Sequence, residues 1–212
     1  MKIAVLGASG WIGSHILNEA KQRGHDVVAL VRDPSKVQHS DIEIHTVDLL
    51  SKGTELVKAI SGVDAVIASI GGRSLGNHQI VRHTALQLLT VLPEANVQRL
   101  LWVGGAGSLQ VAPGISLVST AEFPEEYKSE AIAQGEALEV FKQNTSTVDW
   151  TFVSPAAEIF PGETLSQYRV GAEQLIVDEN GASRISVGDY AKAMIDELES
   201  HQHPRQQIGV AY

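Results

Sequence analysis

Apolar runs and segments of helical periodicity alternate along the first three quarters of the chain. Six apolar runs predict strands over 2–7, 25–32, 42–49, 64–72, 98–109 and 149–157. Helical spacing between them predicts helices over 11–23, 54–61, 78–95 and 124–144. Strands that alternate with helices form a parallel sheet covered on both faces. The pattern predicts an α/β fold with a doubly wound parallel sheet.

The last quarter of the chain follows a different pattern. Residues 167–189 predict a small hairpin that turns at Glu179-Asn180-Gly181, and a helix over 189–200 and a strand over 206–212 follow. No composition break marks a linker, and the length suits one hydrophobic core. We therefore expect a single domain over 1–212, with a small lobe at about 160–190 as an extension on the substrate side.

Glycines recur directly after the first, fourth and fifth predicted strands. These are carboxyl ends, where ligands bind in doubly wound sheets. In the first cluster, GASGWIG, we expect Gly7 to make a tight turn, Gly10 to let a pyrophosphate approach, and Gly13 to let the helix pack against the strand.

The helix that begins after this turn offers an anion site. The backbone N–H groups of Trp11 and Ile12 are expected to donate to phosphate, with the Ser9 hydroxyl as a further donor. The alternative is a tightly packed helix N-terminus that binds no ligand. The position after a buried strand favours a dinucleotide.

Composition and charge exclude several classes of function. The formal net charge is −9 and no block of Lys or Arg occurs, which argues against binding to nucleic acid or to an anionic membrane. Without cysteine, disulfides, thiolate metal sites and a cysteine nucleophile are excluded. His78 and His83 fall on different helix faces, so we expect no metal site. No signal peptide or long apolar segment is visible, which predicts a cytoplasmic protein.

GASGWIG resembles the extended and atypical branches of the short-chain dehydrogenase/reductase superfamily. Further stretches are similar to small bacterial NAD(P)H-binding proteins of this branch, whose relatives are the NmrA-like proteins and the flavin reductase/biliverdin-IXβ reductase group. They lie at 30–36, 47–49, 102–109, 124–139, 153–156 and 183–191. The resemblance implies a Rossmann-type fold with helices on both faces of the sheet and a nicotinamide cofactor.

Arg32 occupies the position at which this superfamily selects its cofactor. An arginine there suits a 2′-phosphate, so the resemblance favours NADP(H) over NAD(H). Pairing of Arg32 with Asp33 is the alternative and keeps an NAD reading open. Asp48 and Leu49 resemble the pair that holds the adenine ring, although an Asp at a strand end also caps the next segment.

The resemblance also assigns residues along the rest of the cofactor. Ala68, Ser69 and Ile70 would lie beside the adenosine ribose. Near the nicotinamide it implies Ser154, Pro155 and Ala156. Pro155 has a second explanation, because proline commonly ends a strand.

The superfamily's catalytic Tyr-x-x-x-Lys pair is missing from this sequence. Tyr127 has Ala131 at the fourth following position, and Lys128 lies about 100° around the helix. Tyr127, Ser108 and Gln134 are the pocket candidates. We favour the alternative that the helix face bearing Glu130 and Gln134 is solvated.

Without a visible proton donor, the sequence favours hydride transfer to a flavin-like or quinone-like acceptor, which delocalises the added charge. The expected function is an NADPH-dependent reductase with a small-molecule acceptor. The alternative is an NmrA-like NADP(H)-sensing regulatory protein without turnover, and a nucleotide-sugar epimerase is disfavoured. A homodimer or a regulatory protein partner is compatible with either reading.

Overall fold

The computed structural model describes residues 1–51, 53–73, 76–165 and 167–212. Twelve strands occur in these ranges: β1 (Lys2–Leu6), β2 (Asp26–Val31), β3 (Glu43–Thr46), β4 (Ala65–Ala68), β5 (Arg99–Val103), β6 (Gln110–Ala112), β7 (Ile115–Ser116), β8 (Asp149–Ser154), β9 (Glu158–Phe160), β10 (Arg169–Gly171), β11 (Arg184–Ser186) and β12 (Gln206–Ala211). The helices are α1 (Trp11–Gln22), α2 (Thr54–Ile60), α3 (Gln79–Glu94), α4 (Glu125–Gln143) and α5 (Val187–Ser200).

Eight strands form the central sheet in the order β3-β2-β1-β4-β5-β8-β12-β10. Every neighbouring pair is parallel except β10 and β12. The chain moves outward from β1 in one direction through β2 and β3, and in the other through β4 and β5. This reversal of strand order is where doubly wound folds open a crevice at the carboxyl ends of their strands. The predicted fold is confirmed.

Strand residues alternate between two hydrophobic cores, one on each face of the sheet. Ala4 and Leu6 of β1 pack in the core beneath α2, α3 and α4, whereas Ile3 and Val5 pack in the core beneath α1 and α5. Successive strand side chains point to opposite faces, so a sheet that is covered twice needs a continuous apolar run. Fully buried Phe141 of α4 anchors the first core.

Several predicted strands are shorter in the structure. β5 ends at Val103, and residues 106–108 form a 3₁₀ turn that leads into the antiparallel pair β6 and β7. β4 ends at Ala68 and β8 at Ser154, directly before Pro155. The glycines after β4 and β5 therefore lie in loops, which places them at the edge of the sheet rather than within it.

The predicted C-terminal hairpin is wrong. β10 pairs antiparallel with β12, and β11 pairs parallel with β9, so the two segments do not pair with each other. The turn itself forms: the Asp178 N–H donates to the Ala182 carbonyl at 2.8 Å, and Gly181 has φ of +78°. Long-range strand pairing has overridden a local turn signal.

The helix α5 begins two residues earlier than predicted because Ser186 caps it. The Ser186 hydroxyl accepts the Asp189 N–H at 3.0 Å. Asp189 is fully buried and accepts the Tyr212 hydroxyl at 2.7 Å, which ties α5 to the residue after β12. Of the helices in the described ranges, none is both long and apolar enough to cross a membrane.

Candidate functional site

The three glycines of the first cluster have different environments. Gly7 has φ of +81°, and a Cβ there would lie 2.2 Å from the Ser69 carbonyl oxygen. A Cβ on Gly13 would lie 2.2 Å from the Gly7 oxygen. Gly10 has an ordinary φ of −76°, and the nearest atom to its added Cβ is the Gly7 oxygen at 3.2 Å. The fold requires Gly7 and Gly13, whereas a Cβ on Gly10 would make one close contact, at 3.2 Å, and no overlap.

The N-terminus of α1 presents unused hydrogen-bond donors. The Gly10 N–H donates to the Gly7 carbonyl at 2.9 Å, and the first intrahelical bond runs from the Ser14 N–H to Gly10 at 2.8 Å. Among the residues that the structure describes, no side chain caps α1, and the first turn of α1 carries no acidic residue. The N–H groups of Trp11 and Ile12 are thus left to an external acceptor. Together with the helix dipole they suit an anion such as a diphosphate.

The two side chains that flank this turn are exposed. Ser9 is accessible, and the Trp11 indole keeps 45% of its surface in contact with solvent. The Trp11 carbonyl is occupied, because it accepts hydrogen bonds from Ser14 and His15. Both side chains could therefore contact a ligand at the turn without disturbing the core.

Arg32 follows β2 and is exposed. Within the described ranges no carboxylate forms an ion pair with it. The Asp33 carboxylate accepts the Ser35 hydroxyl at 2.6 Å and the Ser35 N–H at 3.0 Å, and these bonds hold the pKa of this carboxyl below its usual range. The alternative pairing of Arg32 with Asp33 is not found in the structure.

Asp48 closes the turn after β3. Its carboxylate accepts the Leu50 N–H at 3.0 Å, and its carbonyl accepts the Ser51 N–H and hydroxyl. This is the capping arrangement that an Asp at a strand end also permits. Leu49 is buried beneath the turn.

The residues after β4 lie against the glycine turn. Ala68 is fully buried, the Ser69 N–H donates to the Leu6 carbonyl at 2.8 Å, and the Ser69 carbonyl faces Gly7. The structure thus brings the Ala68–Ile70 segment into contact with the first glycine cluster. This position lies between β1 and β5 at the carboxyl edge.

Ser108, which follows β5, and Ser154, at the end of β8, share one hydrogen-bond partner, Gln207 of β12. The Gln207 amide donates to the Ser108 hydroxyl at 2.8 Å and to the Ser154 hydroxyl at 3.0 Å. Ser154, Pro155 and Ala156 are all buried. Ser108 and Ser154 therefore support the packing of β12 against β8, and their hydroxyl groups are engaged within the fold.

Gln134 of α4 is buried, so the expectation that it is solvated is wrong. Its carbonyl accepts the Trp102 indole N–H at 2.9 Å, and its amide donates to the Ile70 carbonyl at 2.9 Å. A buried indole N–H needs an acceptor, and the helix face supplies one. Gln134 connects α4 to the loop after β4.

The Glu130 side chain is half-buried, and its contact with His78 was not predicted from the sequence. Its carboxylate accepts the Gly72 N–H at 3.0 Å and lies 2.9 Å from the His78 Nδ1 atom. The signal in the sequence was the Gly71-Gly72 pair, since a loop with bare backbone amides needs an acceptor from a neighbouring element. Glu130 and Gln134, one helical turn apart, hold this loop against α4.

Tyr127 lies one turn before Glu130 and is 43% exposed. The Arg73 guanidinium carbon lies 4.3 Å above the centre of its ring, a cation–π contact. Lys128 pairs with Glu125 at 3.4 Å instead. The helix thus presents a tyrosine whose neighbour is an arginine from the loop after β4.

A groove of about 950 Å³ opens between α5 and strands β10 and β12. Its charged groups are already paired: Asp196 binds Lys192 at 2.6 Å and Glu197 binds Arg99 at 2.8 Å. Burial raises the pKa of the Tyr168 hydroxyl, which donates to Asp196. The groove offers no free polar group for catalysis among these residues.

Comparisons with known proteins agree with this geometry. A model of an NAD(P)H-binding family matches residues 7–198. YwnB of Bacillus subtilis, whose name states no activity, is 42% identical over 99% of this chain and 98% of its own. A Streptococcus pneumoniae structure ascribed NADH-flavin reductase activity is 34% identical, with a TM-score of 0.90 over 100% of this chain and 99% of its own.

A Bacteroides thetaiotaomicron structure ascribed epimerase activity is 39% identical, with a TM-score of 0.90 over 100% of this chain and 96% of its own. The family match spans the glycine turn, the strands from β2 to β11 and most of α5. The sequence resemblance to atypical short-chain dehydrogenase/reductases is confirmed. The chain belongs to the NAD(P)H-binding family.

Proposed function

We propose that this protein is an NADPH-dependent reductase that passes hydride to a flavin-like or quinone-like acceptor. The observation that carries the proposal is the open turn at Gly10, beside an uncapped helix N-terminus with free N–H groups. When the cofactor is bound, its reduced nicotinamide supplies the hydride. The chain's own residues bind and orient it.

The diphosphate would rest on the main chain of Gly10 and accept hydrogen bonds from the Trp11 and Ile12 N–H groups, with the Ser9 hydroxyl in reach. The 2′-phosphate would pair with Arg32. Support for NADPH over NADH comes from the exposed guanidinium, which has no carboxylate partner in the described ranges.

The remaining cofactor contacts follow the sheet edge. Leu49 and the turn closed by Asp48 would border the adenine. The adenosine ribose would be bordered by Ala68, Ser69 and Ile70. Towards the nicotinamide, the main chain of the segment from Ser154 to Ala156 would form the wall. Each segment lies at a carboxyl end of a strand adjacent to or near β1.

The acceptor class follows from the missing acid–base pair. Ser108 and Gln134 are committed to hydrogen bonds within the fold, and Tyr127 has no lysine one turn away. Reduction consumes one hydride from NADPH and one proton from water. A conjugated acceptor spreads the added electron pair, so the proton can arrive after the hydride. Sugar epimerisation needs a base at the alcohol, which disfavours that activity.

An NADP(H)-sensing regulatory protein is the second candidate. The observation in its favour is the same engagement of Ser108, Gln134 and Ser154 in structural hydrogen bonds. Such a protein would bind oxidised and reduced cofactor with different affinities and would not turn over.

Turnover and binding separate the two candidates. Purified protein is mixed with NADPH and either FMN or menadione, and loss of the reduced-nicotinamide absorbance is followed. A rate well above the protein-free rate supports the reductase, whereas calorimetric binding without turnover supports the sensor. Absence of binding would overturn both.

Gly10→Ala provides the matched control. Its φ of −76° suits alanine, but the Cβ would lie 3.2 Å from the Gly7 oxygen, so the free energy of unfolding should fall by about 1 kcal/mol. The methyl group would occupy the place of the diphosphate and weaken NADPH binding by about tenfold or more. Equal binding by both proteins would mean that the cofactor lies elsewhere.

A further inference from the structure

We propose that Arg73, stacked on Tyr127, binds an anionic group of the acceptor, a phosphate or a carboxylate. The inference rests on the proposed reductase function and names the class of acceptor: a planar conjugated ring with an anionic arm. The contact between the guanidinium and the phenol ring is 4.3 Å, and both side chains are exposed.

Most arginines in the described ranges already have oxygen partners. Arg23, Arg99 and Arg184 pair with carboxylates, and Arg169 and Arg205 donate to backbone carbonyls. Arg73, Arg32 and Arg82 have no oxygen partner in the same ranges. Unpaired guanidinium groups in a chain of net charge −9 are available to an anionic ligand.

Hydrogen bonds among the described residues anchor the backbone carbonyls of Gly72 and Arg73. The Asn77 N–H donates to the Gly72 carbonyl at 3.0 Å, and the Gly76 N–H donates to the Arg73 carbonyl at 3.2 Å. Glu130 secures Gly72 and His78. Its carboxylate is therefore engaged with the loop and forms no ion pair with Arg73. An anchored backbone reduces the entropy that Arg73 loses when it binds an anion.

Sheet topology separates Arg73 from Arg32. Arg32 follows β2 on one side of β1, whereas Arg73 follows β4 on the other side, and Tyr127 lies on the helix after β5. With the diphosphate over β1, Arg32 would lie at the adenosine end and Arg73 beyond the opposite end. Arg32 and Arg73 would thus bind two different anions.

The positive charge of Arg73 would bind an anionic group, and the Tyr127 ring adds an apolar face beside it. FMN combines a conjugated ring with a phosphate, and a carboxylated naphthoquinone combines one with a carboxylate. Riboflavin and the quinone methyl ester keep the rings and lack the charge. These four compounds separate recognition of the ring from recognition of the anion.

The experiment measures KM for each acceptor in the wild type, Arg73→Ala, Arg73→Lys and the control Arg82→Ala. For the wild type we expect KM for FMN to be about tenfold or more below KM for riboflavin, the effect of one charge-assisted pair. Arg73→Ala should collapse this ratio towards one, and Arg73→Lys should restore part of it. Arg82→Ala, on an exposed helix position, should leave the ratio unchanged.

An unchanged FMN-to-riboflavin ratio and an unchanged acid-to-ester ratio in Arg73→Ala would overturn the proposal. Loss of only the carboxylate preference would support it and identify a carboxylate acceptor, whereas loss of only the FMN preference would identify a phosphate.

Direct binding keeps the proposal testable if turnover is absent. FMN and riboflavin are titrated into each variant in the presence of NADP⁺, with flavin fluorescence as the readout. Tighter binding of FMN that Arg73→Ala abolishes would support the anion site even though the reductase function had failed. Equal binding of both flavins by the wild type would refute the anion site.

Discussion

The two ends of the crevice at the carboxyl edge of the sheet differ in whether their polar groups are already hydrogen-bonded within the fold. At the β1–β2 end, the N–H groups of Trp11 and Ile12 and the Arg32 side chain have no partner in the described ranges. At the β5–β8 end, Gln134 and Gln207 bind indole, carbonyl and hydroxyl groups of the fold. Polar groups serve ligands only where packing leaves them free.

Gly13→Ala is expected to have the largest effect. Its Cβ would overlap the Gly7 oxygen at 2.2 Å, so α1 would have to move away from β1. We expect a loss of about 3 kcal/mol or more in the free energy of unfolding, together with loss of NADPH binding. Denaturant titration measures the first and calorimetry the second.

Gly24→Ala is the control for this prediction. Gly24 has φ of +80° with no atom near its added Cβ, so only backbone strain opposes the methyl group. Its cost should be about 1 kcal/mol. Similar losses for Gly13→Ala and Gly24→Ala would show that close packing at the first turn is unimportant.

Arg32→Glu tests the β1–β2 end of the crevice. Replacing a cation by an anion beside a 2′-phosphate should weaken NADPH binding by about 100-fold and NADH binding by only a few-fold. Arg82→Glu matches the charge change elsewhere on the surface and should affect neither. Equal losses for both cofactors would mean that Arg32 does not contact the 2′-phosphate.

Gln134→Ala tests the β5–β8 end of the crevice. The change would leave the Trp102 N–H and the Ile70 carbonyl without their present partners, at a cost of about 2 kcal/mol. Because Gln134 acts on the fold, kcat per folded molecule should change less than stability does. A large fall in kcat with unchanged unfolding would assign Gln134 a chemical role.

Tyr127→Phe should have the smallest effect. Phenylalanine keeps the ring beneath Arg73 and removes only the hydroxyl, so kcat/KM with FMN should change by less than about twofold. A fall of about 100-fold would identify the Tyr127 hydroxyl as a proton donor.

The same contrast explains which features could be predicted from sequence. β1, the glycine turn and α1 are consecutive in the chain, so their spacing alone predicted how Gly7 and Gly13 pack. The C-terminal pairings of β10 and β11 join distant residues, which a local turn signal could not predict. Burial of Gln134 depends on Trp102, 32 positions away, and periodicity carries no information about that partner.

Trp11 gives this protein a built-in optical probe. Trp102 and Trp150 are buried in the core, whereas the Trp11 indole at the start of α1 is 45% exposed to solvent. Its emission should lie at longer wavelength than theirs and should dim when a nicotinamide coenzyme settles on the adjacent amides. Occupancy can then be read from unlabelled material, in every variant that retains this side chain.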